Sequence, residues 1–118
     1  MEIIEKQQNG YYTLTPIGDL DANSSLEMDA CINGLLQKDI VNLHIDCSQL
    51  KYISSAGLGV FISFIDEIEQ KEGKIIFSHL TESVFDVFEL LGLNQIVTIV
   101  TNGEEVSPLF SSWKQQSR

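Results

Sequence analysis

Two hydrophobic spacings take turns along this chain, one of period two and one of three to four residues, which predicts strands alternating with helices. Ile3 and Ile4 within Glu2 to Gln7 make a short first strand, and Gln8-Asn9-Gly10 supplies the Asn-Gly pair suited to a type I′ hairpin turn. Tyr11 to Ile17 returns as the partner strand. Its alternation is imperfect, but Tyr12, Leu14 and the β-branched Thr13, Thr15 and Ile17 favour a pleated, half-buried surface. Gly18-Asp19-Leu20-Asp21 reads as a break. Asn23-Ser24-Ser25 then offers capping side chains to a helix in which Met28, Cys31, Ile32 and Leu35 recur at helical spacing, with Gly34 weakening it by up to about 1 kcal/mol.

Ile40 to Ile45 is a strand by pattern, and Leu50 to Ile53 leads on to Ser54-Ser55-Ala56-Gly57-Leu58-Gly59, where the next helix begins. Leu58, Phe61, Ile62, Ile65 and Ile68 form its core-facing stripe, which runs to Lys71 with Gly73 as the stop. Lys74 to Ser78 is a short strand. Thr81 opens a helix bearing Val84, Phe85, Val87, Phe88 and Leu91, closed by Gly92, and Ile96 to Val100 is the last strand. A final helix starts either at Asn102, which with Glu105 resembles a capping box, or at Ser107 with Pro108 as its first helical residue.

The resulting order, ββαβαβαβα, is that of an α/β domain: a mixed sheet of about five strands and about four helices, joined by right-handed crossovers and opened by an antiparallel hairpin. At 118 residues, one domain spanning 1–118 is expected.

Charge narrows the function. Seven basic residues against seventeen acidic ones give a formal net charge of −10, which opposes direct contact with nucleic acid or anionic lipid. No apolar run is long enough to insert into a membrane, and Met1-Glu2-Ile3-Ile4-Glu5 lacks the basic start of a signal peptide, so the chain reads as cytoplasmic. Cys31 and Cys47 have no metal-ligand spacing and read as small buried residues. His44 falls inside a strand and His79 just after one, with no triad context for either; carboxylate pairs such as Asp66-Glu67 and Glu104-Glu105 read as surface charge. Hence no catalytic residue, metal or cofactor is expected.

The segment Ser54 to Gly59 carries more information. Where a strand feeds a helix, the first amides of the helix have no intrahelical acceptor, and an anion there also meets the positive end of the helix dipole. One reading is that a serine simply caps the helix; the other is that a serine there accepts a phosphate. Gly57-x-Gly59 lacks the third glycine of a dinucleotide fingerprint and the lysine of a P-loop, so a nucleotide site is not supported. Val60 and Phe64 lie outside the expected core stripe and need a cover, which either another internal element or a partner surface can supply.

Lys51-Tyr52-Ile53-Ser54-Ser55-Ala56-Gly57-Leu58-Gly59-Val60, with Leu43-His44-Ile45-Asp46 before it, Gly18-Asp19-Leu20-Asp21 earlier and Phe85 to Leu93 later, resembles the STAS-domain family of anti-sigma factor antagonists. The resemblance covers nearly the whole chain and implies a single STAS-like domain. It also implies that the phosphoacceptor is Ser55, two residues before the first glycine of Gly57-Leu58-Gly59, and that Asp21 matches an acidic loop position of partner contact. The family usually has Asp just before the acceptor, where this chain has Ser54. Ala56 leaves no rival hydroxyl on the other side.

The implied function is a partner switch. The unmodified protein binds an anti-sigma factor of the serine kinase type and frees a sigma factor; phosphorylation of Ser55 ends the binding, and a PP2C-like phosphatase is the implied opposing partner. The partner surface so implied comprises Asp21, Ser54, Ser55, Gly57, Leu58, Val60 and Phe64. The alternative is a non-catalytic STAS interaction module of another complex, a lipid-transport or stress-signalling assembly, in which Ser55 is only a cap.

Overall fold

The computed structural model describes residues 1–101 and 106–110. Its elements are β1 (Glu2–Gln7), β2 (Tyr12–Leu20), α1 (Ser25–Gln37), β3 (Asn42–Asp46), β4 (Leu50–Ile53), α2 (Ser55–Gln70), β5 (Lys74–Ser78), α3 (Glu82–Leu90), a 3-10 turn (Leu93–Gln95) and β6 (Thr98–Val100). Residues 106–110 are helical, so the last helix is already under way one residue before Ser107; Asn102 and Glu105, the other expected start, lie outside the described residues.

The sheet runs β1-β2-β3-β5-β6, with β4 attached to β2 off that path. Only β1–β2 is antiparallel; the β2–β3, β2–β4, β3–β5 and β5–β6 pairs are all parallel. The α/β reading therefore holds, with one strand more than expected. The additional strand exists because β2 does not break at Gly18. That residue takes φ +102° at a register shift, and beyond it β2 leaves β3 and pairs with β4, Leu20 opposite Ile53. Pro16, which has no N–H to give, falls in the gap between the two ladders, since β3 pairs Tyr12 to Leu14 and β4 starts at Gly18.

The first hairpin differs from expectation as well. Gln8 N–H donates to the Tyr11 carbonyl at 2.8 Å, but only Gly10 of the Asn-Gly pair has a positive φ, whereas a type I′ turn needs one at both central residues.

The larger core fills one face of the sheet beneath α1, α2 and α3. Phe77 of β5 lies edge-on between Phe61 of α2 and Phe88 of α3, with ring centroids 5.0 and 5.1 Å away. Cys47 is buried as expected, while Cys31 is only half-buried. On the opposite face Ile76, Val100, Val106 and Phe110 form a smaller cluster, with the Tyr11 ring stacked on Phe110 at 4.7 Å. Among the described residues no helix is long and apolar enough to cross a membrane.

His44 is a titratable group held inside this frame. It stands opposite Thr13 in the β2–β3 ladder, its Nδ1 is 3.1 Å from Thr13 Oγ1 and its Nε2 is 2.7 Å from Ser78 Oγ. Burial holds its pKa below the ordinary value, with His79 adding to that and Asp46 opposing it. An unfolded chain thus binds a proton at His44 that the folded chain refuses, and stability must fall as pH drops below about 6.5. Thermal unfolding followed from about pH 8 to 5 is expected to show that acid-side loss, and His44→Gln to flatten it. An equal slope in the variant would place the loss elsewhere.

Candidate functional site

The site sits at the carboxyl ends of β2 and β4, where parallel strands deliver their chains to loops and a helix start. Ser54 N–H donates to the Leu20 carbonyl at 2.9 Å, carrying the β2–β4 ladder one residue past Ile53. Ser54 then becomes the N-cap of α2: its backbone is extended (φ −91°, ψ 170°), its carbonyl accepts Leu58 N–H at 3.0 Å and its hydroxyl accepts Gly57 N–H at 3.1 Å. Both oxygens of Ser54 are thereby used within the helix start. Ser55, the first helical residue, is exposed.

Half-buried Ser54 is therefore the cap, and Ser55 presents its side chain to solvent at the positive end of the helix dipole.

The two glycines also differ. A Cβ on Gly57 would lie 2.6 Å from the Leu20 carbonyl oxygen and 2.8 Å from Leu20 Cγ, so this residue is the close approach of helix to strand. Gly59 has nothing within 4 Å of that position and faces outward.

The burial pattern of α2 corrects the expected partner surface. Leu58 is completely buried, and Val60 and Phe64 are only 8% and 7% exposed, all three packed in the main core with Gly57 buried beside them. The cover for Val60 and Phe64 is the domain's own interior, so these four residues support the site from below. Conversely Ile62, expected in the core stripe, is 43% exposed. At about 100° per residue Ser55, Gly59, Ile62 and Asp66 lie within roughly 40° of one line, and all four are exposed. Ile62 and Gly59 are the surface residues that sequence reasoning missed. The angular relation to Ser55 was the signal available.

Asp21 follows Leu20 and is half-exposed. Its carboxylate accepts the N–H groups of Asn23 and Ser24, each at 3.0 Å, and the Ser24 hydroxyl at 3.2 Å, while Ser24 Oγ in turn accepts Asp21 N–H at 2.9 Å. The Ser24 amide, first among these donors, holds the Asp21 carboxyl below its usual range. Asp21 is thus an ionised, pre-oriented carboxylate at the loop before α1.

Neither histidine forms a triad: Ser78 Oγ touches both imidazoles, at 2.7 Å from His44 Nε2 and 2.9 Å from His79 Nδ1, and is itself fully buried. Among the described residues no group of three or more His, Cys, Asp or Glu is placed to hold a metal ion.

Comparison with known proteins gives this geometry a family context. The family model described as "STAS domain" matches residues 2–106. The anti-sigma-B factor antagonist of Listeria monocytogenes is 25% identical over 96 residues, covering 81% of this chain and 84% of that protein. Among solved structures, an anti-sigma factor antagonist from Mycobacterium paratuberculosis superposes with a TM-score of 0.82 at 13% identity, covering 93% of each chain. The Bacillus cell fate determinant SpoIIAA in its phosphorylated form superposes with a TM-score of 0.72 at 18% identity, covering 92% of this chain and 99% of that one.

The glycine geometry sets up a paired test. Gly57→Ala drives a methyl group into strand backbone and is expected to destabilise by about 1–3 kcal/mol. Gly59→Ala fills open space on an exposed helix turn and is expected to stabilise by about 0.5–1 kcal/mol. Urea unfolding of the two variants measures both, and equal effects would refute the assigned contact.

Proposed function

The chain belongs to the STAS domain family, and we propose that it is an anti-sigma factor antagonist of the cytoplasm that binds a kinase-type anti-sigma factor while Ser55 is unmodified and lets go once Ser55 carries a phosphate. The observation that carries this reading is the division of labour between the serines. Ser54 caps α2 with an oxygen already bonded to Gly57 N–H, while Ser55 stands exposed beside it.

The stripe of Ser55, Gly59, Ile62 and Asp66 would be the docking surface, with Asp21 at its end. Small side chains at Ser55 and Gly59 let a partner approach the helix backbone closely, and Ile62 adds apolar contact. A phosphate on Ser55 brings a charge of about −1.5 to −2 into that surface. Within the domain the charge is favourable, because the helix dipole and the free first-turn amides meet it, an effect of about 0.3–2 kcal/mol. Between proteins it is unfavourable: desolvating an unpaired dianion against a surface shaped for a neutral hydroxyl costs several kcal/mol. The fold survives and the complex does not. A PP2C-like phosphatase would return the protein to its binding form.

Incubation with the cognate anti-sigma kinase and ATP, followed by intact mass measurement, is expected to show one added phosphate that Ser55→Ala abolishes and Ser54→Ala does not. In calorimetry Ser55→Asp is expected to weaken the complex by about 100-fold or more, which is about 2.7 kcal/mol, with an unchanged circular dichroism spectrum. Undiminished affinity of Ser55→Asp would rule out the switch, and no phosphate on either serine would leave a docking module without one.

A further inference from the structure

Four side chains that the switch does not use form one continuous hydrogen-bonded chain across β2, β3 and the end of β5, and a fifth, Asp46, stands at ion-pair distance from its last member. Thr13 Oγ1 is 3.1 Å from His44 Nδ1; His44 Nε2 is 2.7 Å from Ser78 Oγ; Ser78 Oγ is 2.9 Å from His79 Nδ1; and His79 Nδ1 is 3.4 Å from Asp46 Oδ1. One end is sealed: Thr13, His44 and Ser78 are 7%, 6% and 0% exposed. The other end is open, with the side chains of His79 and Asp46 at 37% and 26%. His79 is held there at φ +58°, a left-handed conformation in which histidine is one of the tolerated residues. The Tyr11 ring, 6.2 Å from His44, is a further titratable group against the chain on that face of the sheet among the described residues.

Hydrogen-bond arithmetic allows this chain two polarities, because Ser78 has one hydroxyl proton and an imidazole nitrogen on either side of it. In the first, Thr13 donates to His44 Nδ1, His44 Nε2–H donates to Ser78, and Ser78 donates to His79 Nδ1. The three links from Thr13 to His79 then carry one hydrogen each, and the Asp46 oxygen meets a bare His79 Nδ1. In the second, His79 Nδ1–H faces Ser78 and the Asp46 carboxylate, Ser78 donates to His44 Nε2, and His44 Nδ1–H donates to Thr13. That arrangement deprives the buried Thr13 hydroxyl of its acceptor, a disadvantage while His79 is neutral. It becomes the required one when His79 is a cation, because both ring nitrogens are then donors and Nδ1–H meets a carboxylate.

We propose that this chain is a hydrogen-bond relay by which a pH change at the surface is read inside the sheet, the charge state of His79 selecting the tautomer of His44. Written in full, one solvent proton adds to His79 Nδ1 at the open end, the Ser78 hydroxyl turns its hydrogen from His79 to His44 Nε2, and the hydrogen of His44 is exchanged, through water, from Nε2 to Nδ1. The net change is one proton taken up and a cation on His79. His44 stays neutral before and after, as its burial demands. Asp46 Oδ1 also accepts Ser48 N–H at 3.0 Å, in the turn between β3 and β4.

Imidazole nitrogen shifts of the 15N-labelled full chain, recorded from about pH 8 to 5, test the relay. His44 Nδ1 is expected to move from the bare to the protonated nitrogen range, and Nε2 the opposite way, with the midpoint shown by His79. Stationary His44 nitrogens while His79 titrates would overturn the proposal, as would movement of both to the imidazolium range. His79→Asn, which keeps a residue suited to the left-handed backbone, is expected to abolish the pH response of His44. A response that persists in this variant would overturn the proposal too.

Discussion

The carbonyl of Leu20 is the point on which two elements and the candidate site all depend. It accepts Ser54 N–H at 2.9 Å and lies only 2.6 Å from where a side chain on residue 57 would begin. Strand pairing therefore fixes the backbone at Ser54, and the absent side chain of Gly57 lets the first turn of α2 settle directly on the strand end. Ser55 lies two residues before Gly57, about 200° around the helix, and so must face away from that contact. Its exposure is the geometric counterpart of the burial of Gly57.

This arrangement in turn requires β2 to change partners, and here the sequence was harder to read. Gly18 looks like a chain break, because glycine with two nearby aspartates commonly marks a turn. In the structure it is a bulge with a positive φ that redirects the strand, so that Asp19 and Leu20 continue it beside Tyr52 and Ile53. Leu50 to Ile53 was hard to recognise for a related reason: a strand of four residues with its middle pair exposed has too little alternation to show a period. The longer elements were legible because their apolar positions repeat over several turns.

The case of α2 shows what periodicity leaves open. The seven apolar residues from Leu58 to Ile68 cannot be sorted by hydrophobicity alone, because they cover more than half the circumference; the arc that faces the sheet is set by where the helix starts on Leu20. Choosing the stripe through Ile62 instead of the one through Val60 and Phe64 rotates the helix slightly and exchanges core for surface. What the sequence could mark was the helix start itself, since two serines and two glycines at a strand-to-helix junction restrict both capping and approach. Which serine caps is a matter of backbone angle, decided by the ladder that ends at Ser54.

That assignment bears on the departure at Ser54 from the pattern that the family resemblance implies. Where the family usually has aspartate, this chain has Ser54, and the two residue types are about equally good N-caps because each offers an oxygen to an amide of the first turn. The substitution keeps the cap and removes a charge. A phosphate on Ser54 would have to displace a bond to Gly57 N–H from a half-buried oxygen, whereas a phosphate on Ser55 breaks no hydrogen bond seen among the described residues. On the proposed reading, modification of Ser55 would therefore leave the helix start intact and alter only what an approaching protein meets, which is what a docking switch requires. Losing the neighbouring carboxylate also lowers the electrostatic opposition to a dianion at Ser55, in a chain whose net charge is already −10.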